Sequence, residues 1–392
     1  MAAKTIHQRY HGLDLLRSVA MLLGLVIHAP LIYYTPELAR EFQFFGSVPS
    51  AGLGTDFAVL WIHAWRMPTF FLLAGFFAVL VLQRKNLAWF ARDRAVRIGL
   101  TMFVFMVWMS WMSWMSDESL STLYHYWFLY YLLAIIAGFI PLYWLVARLS
   151  TFLNFSTVTW VVSRPLIFVP VAILLLWPLT LGAREYGFGA IIPEQFGDFD
   201  VVPFLYYCFW FALGALIYCS RDVLKRLESN RVLIVMAVFA IGSYLVQFFS
   251  GAPLIFIETE TGFEIRNAIP LNVSLLIGAV STITTVTWSL LAIGLAHRLL
   301  KVAHPVVNWL VELSYSIYLF HHFFTVMIGG LLLHTGWAPI AAIGVNILLT
   351  FVICVACYYI FIKFTPLNWI INGYRKSWLK LPRRPKQNAV AS

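Results

Sequence analysis

Ten separate apolar runs, each about 17–25 residues long, take up most of this 392-residue chain. Each is long enough to cross the ~30 Å hydrocarbon core of a bilayer as a helix. Within lipid the backbone has no water to bond, and a helix satisfies its own N–H and C=O groups. Approximate limits are 13–34, 59–82, 98–115, 124–146, 166–182, 202–219, 232–249, 271–296, 305–332 and 338–362. Only 11% of residues are charged, against roughly 25% in a soluble domain. That excludes a water-soluble fold, disorder, a coiled coil and a secreted disulfide scaffold. The expectation is an all-α, polytopic integral membrane protein with about ten transmembrane helices.

Net charge is +10, and its placement decides what it means. The N-terminus, every second loop and the tail hold 22 of the 27 Lys and Arg; the opposite loops hold only Arg40, Arg184 and Arg266, with twelve of the 17 acids. Lys4, Asp117, Glu118, Asp198, Asp200, Glu258 and Glu260, with Arg375, Lys376, Lys380, Arg383, Arg384 and Lys386 in the tail, all enter that count. By the positive-inside rule both termini are expected in the cytoplasm, so the basic charge is topological and no nucleic-acid partner is expected. The domain reading is a transmembrane unit over 1–364 and a basic cytoplasmic tail over 365–392. The first run holds Asp14, Arg17 and His28 and lacks a small-residue cleavage site, which does not suit a removable signal peptide. Cys208, Cys219, Cys354 and Cys357 all lie in apolar runs; they read as packing residues, and no metal site is expected.

Ionisable groups in hydrocarbon cost ~2.5–3.5 kcal/mol each on insertion scales and are functional candidates by default. Arg17 and His28 are 11 residues apart, within about 20° of three full turns, hence on one helix face about 16 Å apart. Asp14 lies one turn before Arg17. The second run carries His63 and Arg66, then Met67-Pro68, where the proline is expected to kink or open the helix. Arg94 and Arg97 are three apart and suit a pair of phosphates; the competing reading is positive-inside anchoring. His125 and Trp127 open the fourth run and equally suit an interfacial belt. The ninth rises from Glu312 through Ser314, Tyr315, Tyr318, His321 and His322; its Ser and Tyr could serve helix packing alone. On this topology His28, His63, Arg66, His125, His321 and His322 fall in the outer half, and Arg17, Arg94, Arg97 and Glu312 in the inner half. A proton-transfer centre above a cationic entrance implies a donor delivered from inside and an acceptor outside.

At these residues the chain resembles acyltransferase family three, a family of bacterial membrane proteins. The resemblance rests on Arg17-x10-His28 after Gly-Leu-Asp14, on Arg94-x-x-Arg97, on His125-x-Trp127-Phe128-Leu, and on Ser314-Tyr-Ser-x-Tyr318-Leu-x-His321, in the family's order over most of the chain. It implies acyl transfer across the bacterial inner membrane. The segment from His63 through Arg66-Met-Pro to Phe77, with Arg9-Tyr-His-Gly-Leu-Asp14, looks most like the branch that succinylates osmoregulated periplasmic glucans. The chain continues about 30 residues past its last run, unlike members that append a periplasmic hydrolase-like domain.

The reaction expected on these grounds passes an acyl group from a cytoplasmic acyl-CoA, succinyl-CoA by resemblance, to hydroxyls of a periplasmic glucan. His28 is the expected base, with Arg17 and Asp14 in the catalytic set, because an imidazole of ordinary pKa near ~6.5 can take the hydroxyl proton. Arg94, Arg97 and Arg17 would hold the phosphates of the donor. Arg66, His63, His125, Trp127, Glu312, Ser314, Tyr318 and His321 are the expected substrate contacts, with Arg66, an outer-half cation, the candidate for a succinyl carboxylate. Membrane lipids and proteins of glucan synthesis are the other expected partners. Alternatives left open are O-acetylation of another envelope polysaccharide or a lipid-linked sugar, and a non-enzymatic transporter. No internal repeat is evident, which disfavours the transporter.

Overall fold

The computed structural model describes residues 9–112, 121–149, 155–185, 189–251, 256–259, 262–265, 269–302 and 304–373. Lys4, Asp117, Glu118, Glu260, Arg266 and the tail residues Arg375, Lys376, Lys380, Arg383, Arg384 and Lys386 lie outside them, as does the side chain of Glu258. In chain order the helices are α1 His11–His28, α2 Leu31–Tyr34, α3 Pro36–Glu41, α4 Leu53–Leu82, α5 Leu87–Arg94, α6 Thr101–Met112, α7 Trp127–Leu149 and α8 Ser156–Val162. They continue with α9 Pro165–Ala183, α10 Val201–Cys219, α11 Asp222–Leu227, α12 Asn230–Val246, α13 Leu271–Leu299, α14 Pro305–Leu333, α15 Pro339–Cys357 and α16 Leu367–Asn372. A π turn, Ala95–Leu100, joins α5 to α6. Two short antiparallel ribbons, Arg184–Glu185 with Gly189–Ala190 and Phe256–Thr259 with Gly262–Ile265, lie in the connections. Ten of these helical segments are long and apolar enough to cross a membrane, one for each apolar run of the sequence.

The first run breaks earlier than its length suggests. α1 ends at His28, and α2 restarts at Leu31. Pro30 has no N–H for the carbonyl of Val26, so the ladder stops there, and His28 is left at the helix terminus. Pro68, by contrast, does not break α4, which runs unbroken from Leu53 to Leu82. The carbonyl that Pro68 leaves without a donor is that of Ala64. It accepts instead from Arg184 Nη1 and from Thr285 Oγ1, both at 2.9 Å. Arg184 also donates to the carbonyl of His63 at 3.1 Å. Read from sequence as a loop cation, Arg184 is therefore buried against the proline gap.

α4 is apolar all round and occupies the centre, packed by α1, α10 and α13. Its contact with α10 is backbone to backbone. A Cβ on Gly75 would fall 1.9 Å from the carbonyl oxygen of Phe211, and one on Gly214 would fall 1.7 Å from that of Leu72. Only glycine permits this approach, and it fixes the depth at which α4 presents its polar residues. α14 lies along α1, with α15 behind it, so two helices carry most of the candidate polar groups past one another.

Candidate active site

At the N-terminal end of the bundle a cavity of about 350 Å³ is lined by Arg9, Asp14 and Arg17 near or on α1 and by Arg94 and Arg97 of the α5–α6 segment. Ser314 and Tyr315 of α14 and Asn372 of α16 also line it. Among the described residues, four guanidinium groups face a space holding a single carboxylate, Asp14, which pairs with Arg9 at 3.2 Å and Arg17 at 3.6 Å. Asp93, just outside, lies 3.9 Å from Arg94 and 4.0 Å from Arg97. The arginines are thus held in place with positive charge to spare, the condition for binding an anion. Arg17 lies 5.1 Å over the Phe77 ring and Arg94 5.2 Å over Phe90.

The π turn sets Arg97. Such turns are rare and recur at functional sites. The hydroxyl of Tyr315 donates to the carbonyl of Arg97 at 2.7 Å, and Arg97 Nε donates to the carbonyl of Ile371 at 3.2 Å. Residues Leu367–Asn372, read from sequence as the start of the tail, form a helix with Ile371 fully buried, and it lies against this mouth. Ser314 donates to Ser18 at 3.3 Å and Ser18 to the carbonyl of Asp14 at 3.0 Å, tying α14 to α1 beside Arg17.

Deeper in, the cavity wall turns apolar and aromatic, with Met21, Ala74, Ile98, Leu132, Phe70 and Phe128. Phe70 meets Phe128 edge-on at 4.5 Å, and Phe128 meets Tyr318 at 5.9 Å. Beyond Tyr318 lie four histidines. The His28 ring centroid is 4.9 Å from His322, 5.3 Å from His321 and 6.5 Å from His125; His125 and His322 stack at 5.0 Å.

One carbonyl orders two of these rings. His125 Nε2 and His321 Nδ1 lie 2.9 and 2.7 Å from the carbonyl oxygen of Tyr318. A carbonyl only accepts, so those nitrogens carry the protons. His125 Nδ1 and His321 Nε2, both buried without a partner, are then the lone-pair ends. The hydroxyl of Tyr318 donates to the carbonyl of His125 at 2.6 Å, and that of Tyr126 to Leu319 at 2.7 Å. Tyr124, immediately before His125, has φ +46°, a conformation bulky residues avoid outside functional sites. Among the described residues no hydrogen bond reaches the His28 ring, which is half-buried, so it has a free edge.

Arg66 lies beside this cluster. It is 8% exposed, its Nη1 has no partner, and Nη2 lies 3.4 Å from Met67 Sδ. Asp56, the carboxylate in the first turn of the same helix, accepts from Tyr34 at 2.5 Å. No carboxylate among the described residues lies within ion-pair reach of Arg66. Gly24, one turn before His28 on α1, explains how Arg66 gets so close: a Cβ there would sit 3.2 Å from Arg66 Nη1 and 2.9 Å from His321 Nε2.

The structure therefore brings together His28, His125, Tyr318, His321 and Arg66 at one level, and Asp14, Arg17, Arg94, Arg97 and Ser314 at another. Three expected substrate residues make no contact with the four histidines among the described residues. His63 makes no ring contact with the cluster. Trp127 packs on Tyr131 at 6.1 Å and Tyr207 at 5.5 Å. Glu312 accepts a hydrogen bond from Tyr358 and does not line the cavity. The sequence reading grouped His322 with the outer-half histidines but did not count it among the substrate contacts, and it did not single out Asp93, Gly24 or Asn346. Asn346 of α15 donates to the carbonyls of Ala29 at 3.2 Å and Thr325 at 2.9 Å, and accepts from Thr350 at 3.0 Å. It ties the break after His28 to the turn after His321. A lone amide in an apolar run was the signal that could have found it.

An arginine-walled cavity lies at one level of the helical bundle, and an aromatic chain of Phe70, Phe128 and Tyr318 runs from its wall to the imidazole cluster at another. The chain belongs to a family of membrane acyltransferases: the family model described as acyltransferase domain matches residues 10–359. Curated relatives include the glucans biosynthesis protein C of Salmonella paratyphi B and of Salmonella enteritidis PT4, each 27% identical over 82% of this chain and 83% of its own length. That of Salmonella typhi is 26% identical over the same shares. No solved structure matches the chain.

Proposed function

We propose that this protein moves an acyl group, succinyl in the first instance, from cytoplasmic acyl-CoA to a hydroxyl of a periplasmic glucan in the bacterial inner membrane. One observation carries the reading. A single helix, α1, holds Arg17 in the four-arginine cavity and His28 in the histidine cluster, about 16 Å apart by helical rise. Arg17, Arg94 and Arg97 bind the donor phosphates, and the pantetheine arm runs along Met21 and Leu132 to His28. His28 takes the proton of the sugar hydroxyl as its oxygen attacks the thioester carbon. The C–S bond breaks, the new C–O ester bond forms, and the proton passes to the departing thiolate. Arg66, buried with its Nη1 unpartnered among the described residues, is the cation this reading reserves for the donor's acyl end. For a succinyl donor its guanidinium faces a carboxylate that would be costly to bury alone.

The family membership and the name of the curated relatives support this reading, as does the inward-facing charge of the cavity. Purified protein supplied with succinyl-CoA and a β-glucan acceptor is expected to release free thiol and form a glucan ester together. His28→Ala abolishes both while retaining donor binding. Product formation at the normal rate in that variant would remove His28 from the role of base.

A further inference from the structure

A second cavity, of about 620 Å³, opens at the N-terminal end of the bundle and shares no lining residue with the four-arginine cavity. It lies between α8, α11 and the ends of α10 and α13. Arg221 and Lys225 of α11 line it, with Trp160 and Ser163 of α8 and Ser220 after α10. The Ser220 hydroxyl is buried and has no hydrogen-bond partner among the described residues, in a residue only 8% exposed. A hydroxyl withheld from both water and protein is costly unless a ligand completes it. Among the described residues Asp222 is the one carboxylate lining the space. Glu228 is already committed to His297 at 3.1 Å and Lys301 at 3.0 Å.

The surroundings fix the depth of this cavity. Trp160 is 49% exposed and carries the Arg164 guanidinium 3.8 Å above its ring; Trp144, equally exposed, carries Arg148 at 4.5 Å. Exposed tryptophans capped by arginines mark the level of lipid headgroups. The neighbouring α8 and α9 present Val158 and Leu166 outward, a surface for acyl chains. Basic pockets between spanning helices at this level take anionic headgroups.

We propose that this cavity binds the phosphate ester of an anionic phospholipid headgroup, with Arg221 and Lys225 on the phosphate and the Ser220 hydroxyl donating to it. A soluble phosphate ester offers the same chemistry without the acyl chains, so the test separates the two. The full-length protein is reconstituted in phosphatidylcholine nanodiscs containing a minor share of phosphatidylglycerol, and retained lipid is read by native mass spectrometry, with and without glycerol 3-phosphate. The expected result is selective retention of phosphatidylglycerol that glycerol 3-phosphate does not displace. Arg221→Gln with Lys225→Gln should weaken retention about thirtyfold for two lost charges, and Ser220→Ala alone should weaken it severalfold, while coenzyme A binding in the other cavity stays unchanged. Equal retention in wild type and Ser220→Ala, or no preference for the anionic lipid, overturns the proposal. Displacement by glycerol 3-phosphate assigns the site to a soluble ester and overturns it as a lipid site. Should the double variant fail to bind coenzyme A, and so report misfolding, the Ser220→Ala result decides alone.

Discussion

Among single residues Arg66 is the most exacting, because a buried cation with no carboxylate in reach among the described residues is stable only if something else supplies the negative charge. If that charge comes from the donor, Arg66→Gln reduces succinyl transfer far more than acetyl transfer when the two thioesters are compared side by side; equal losses make Arg66 structural or a shared oxyanion donor. Arg94 and Arg97 sit at the other level and answer to a different measurement. Replacing either with Gln should weaken coenzyme A binding by about 1.5–3 kcal/mol for a lost charge-assisted contact, read by calorimetry, whereas unchanged affinity returns them to charge-topology anchors. These residues were legible because an ionised group in an apolar run has few innocent explanations. His63, Trp127 and Glu312 were selected by the same logic but make no contact with the four histidines among the described residues, because depth along a helix is readable from sequence and the direction a side chain faces is not. Gly24 was invisible for the converse reason: its contribution is the side chain it lacks.

At the scale of elements, all ten spanning segments follow from hydropathy and length, since lipid leaves a chain little freedom in how it satisfies its backbone. Local departures were not readable. Two prolines with the same chemistry give opposite outcomes, because Pro30 ends α1 while the gap left by Pro68 is filled by Arg184 and Thr285 from distant segments. The π turn around Arg97 likewise depends on tertiary partners. Asn346 shows how elements set chemistry, since it fastens the end of α1 to α14 on either side of the histidines. Asn346→Leu is expected to lower kcat by roughly 10–100-fold through loss of alignment while leaving coenzyme A affinity within twofold. A fall in thermal stability with kcat unchanged would make it a packing residue only.

For the whole molecule, the cationic cavity and the histidine cluster occupy different depths of one bundle, with apolar side chains of α1, α4 and α7 lining the deeper cavity wall and Phe128 meeting Tyr318 between the two. Such a separation suits the proposed reaction, in which the two substrates would be held on opposite sides of a membrane. The most direct measurement is sidedness. In proteoliposomes of determined orientation, with the acceptor glucan enclosed and succinyl-CoA added outside, vesicles whose N-terminal end faces outward should accumulate esterified glucan inside. Free thiol should appear outside in equal amount, with neither formed by His28→Ala. Ester formation only when donor and glucan share one compartment would contradict transfer across the membrane.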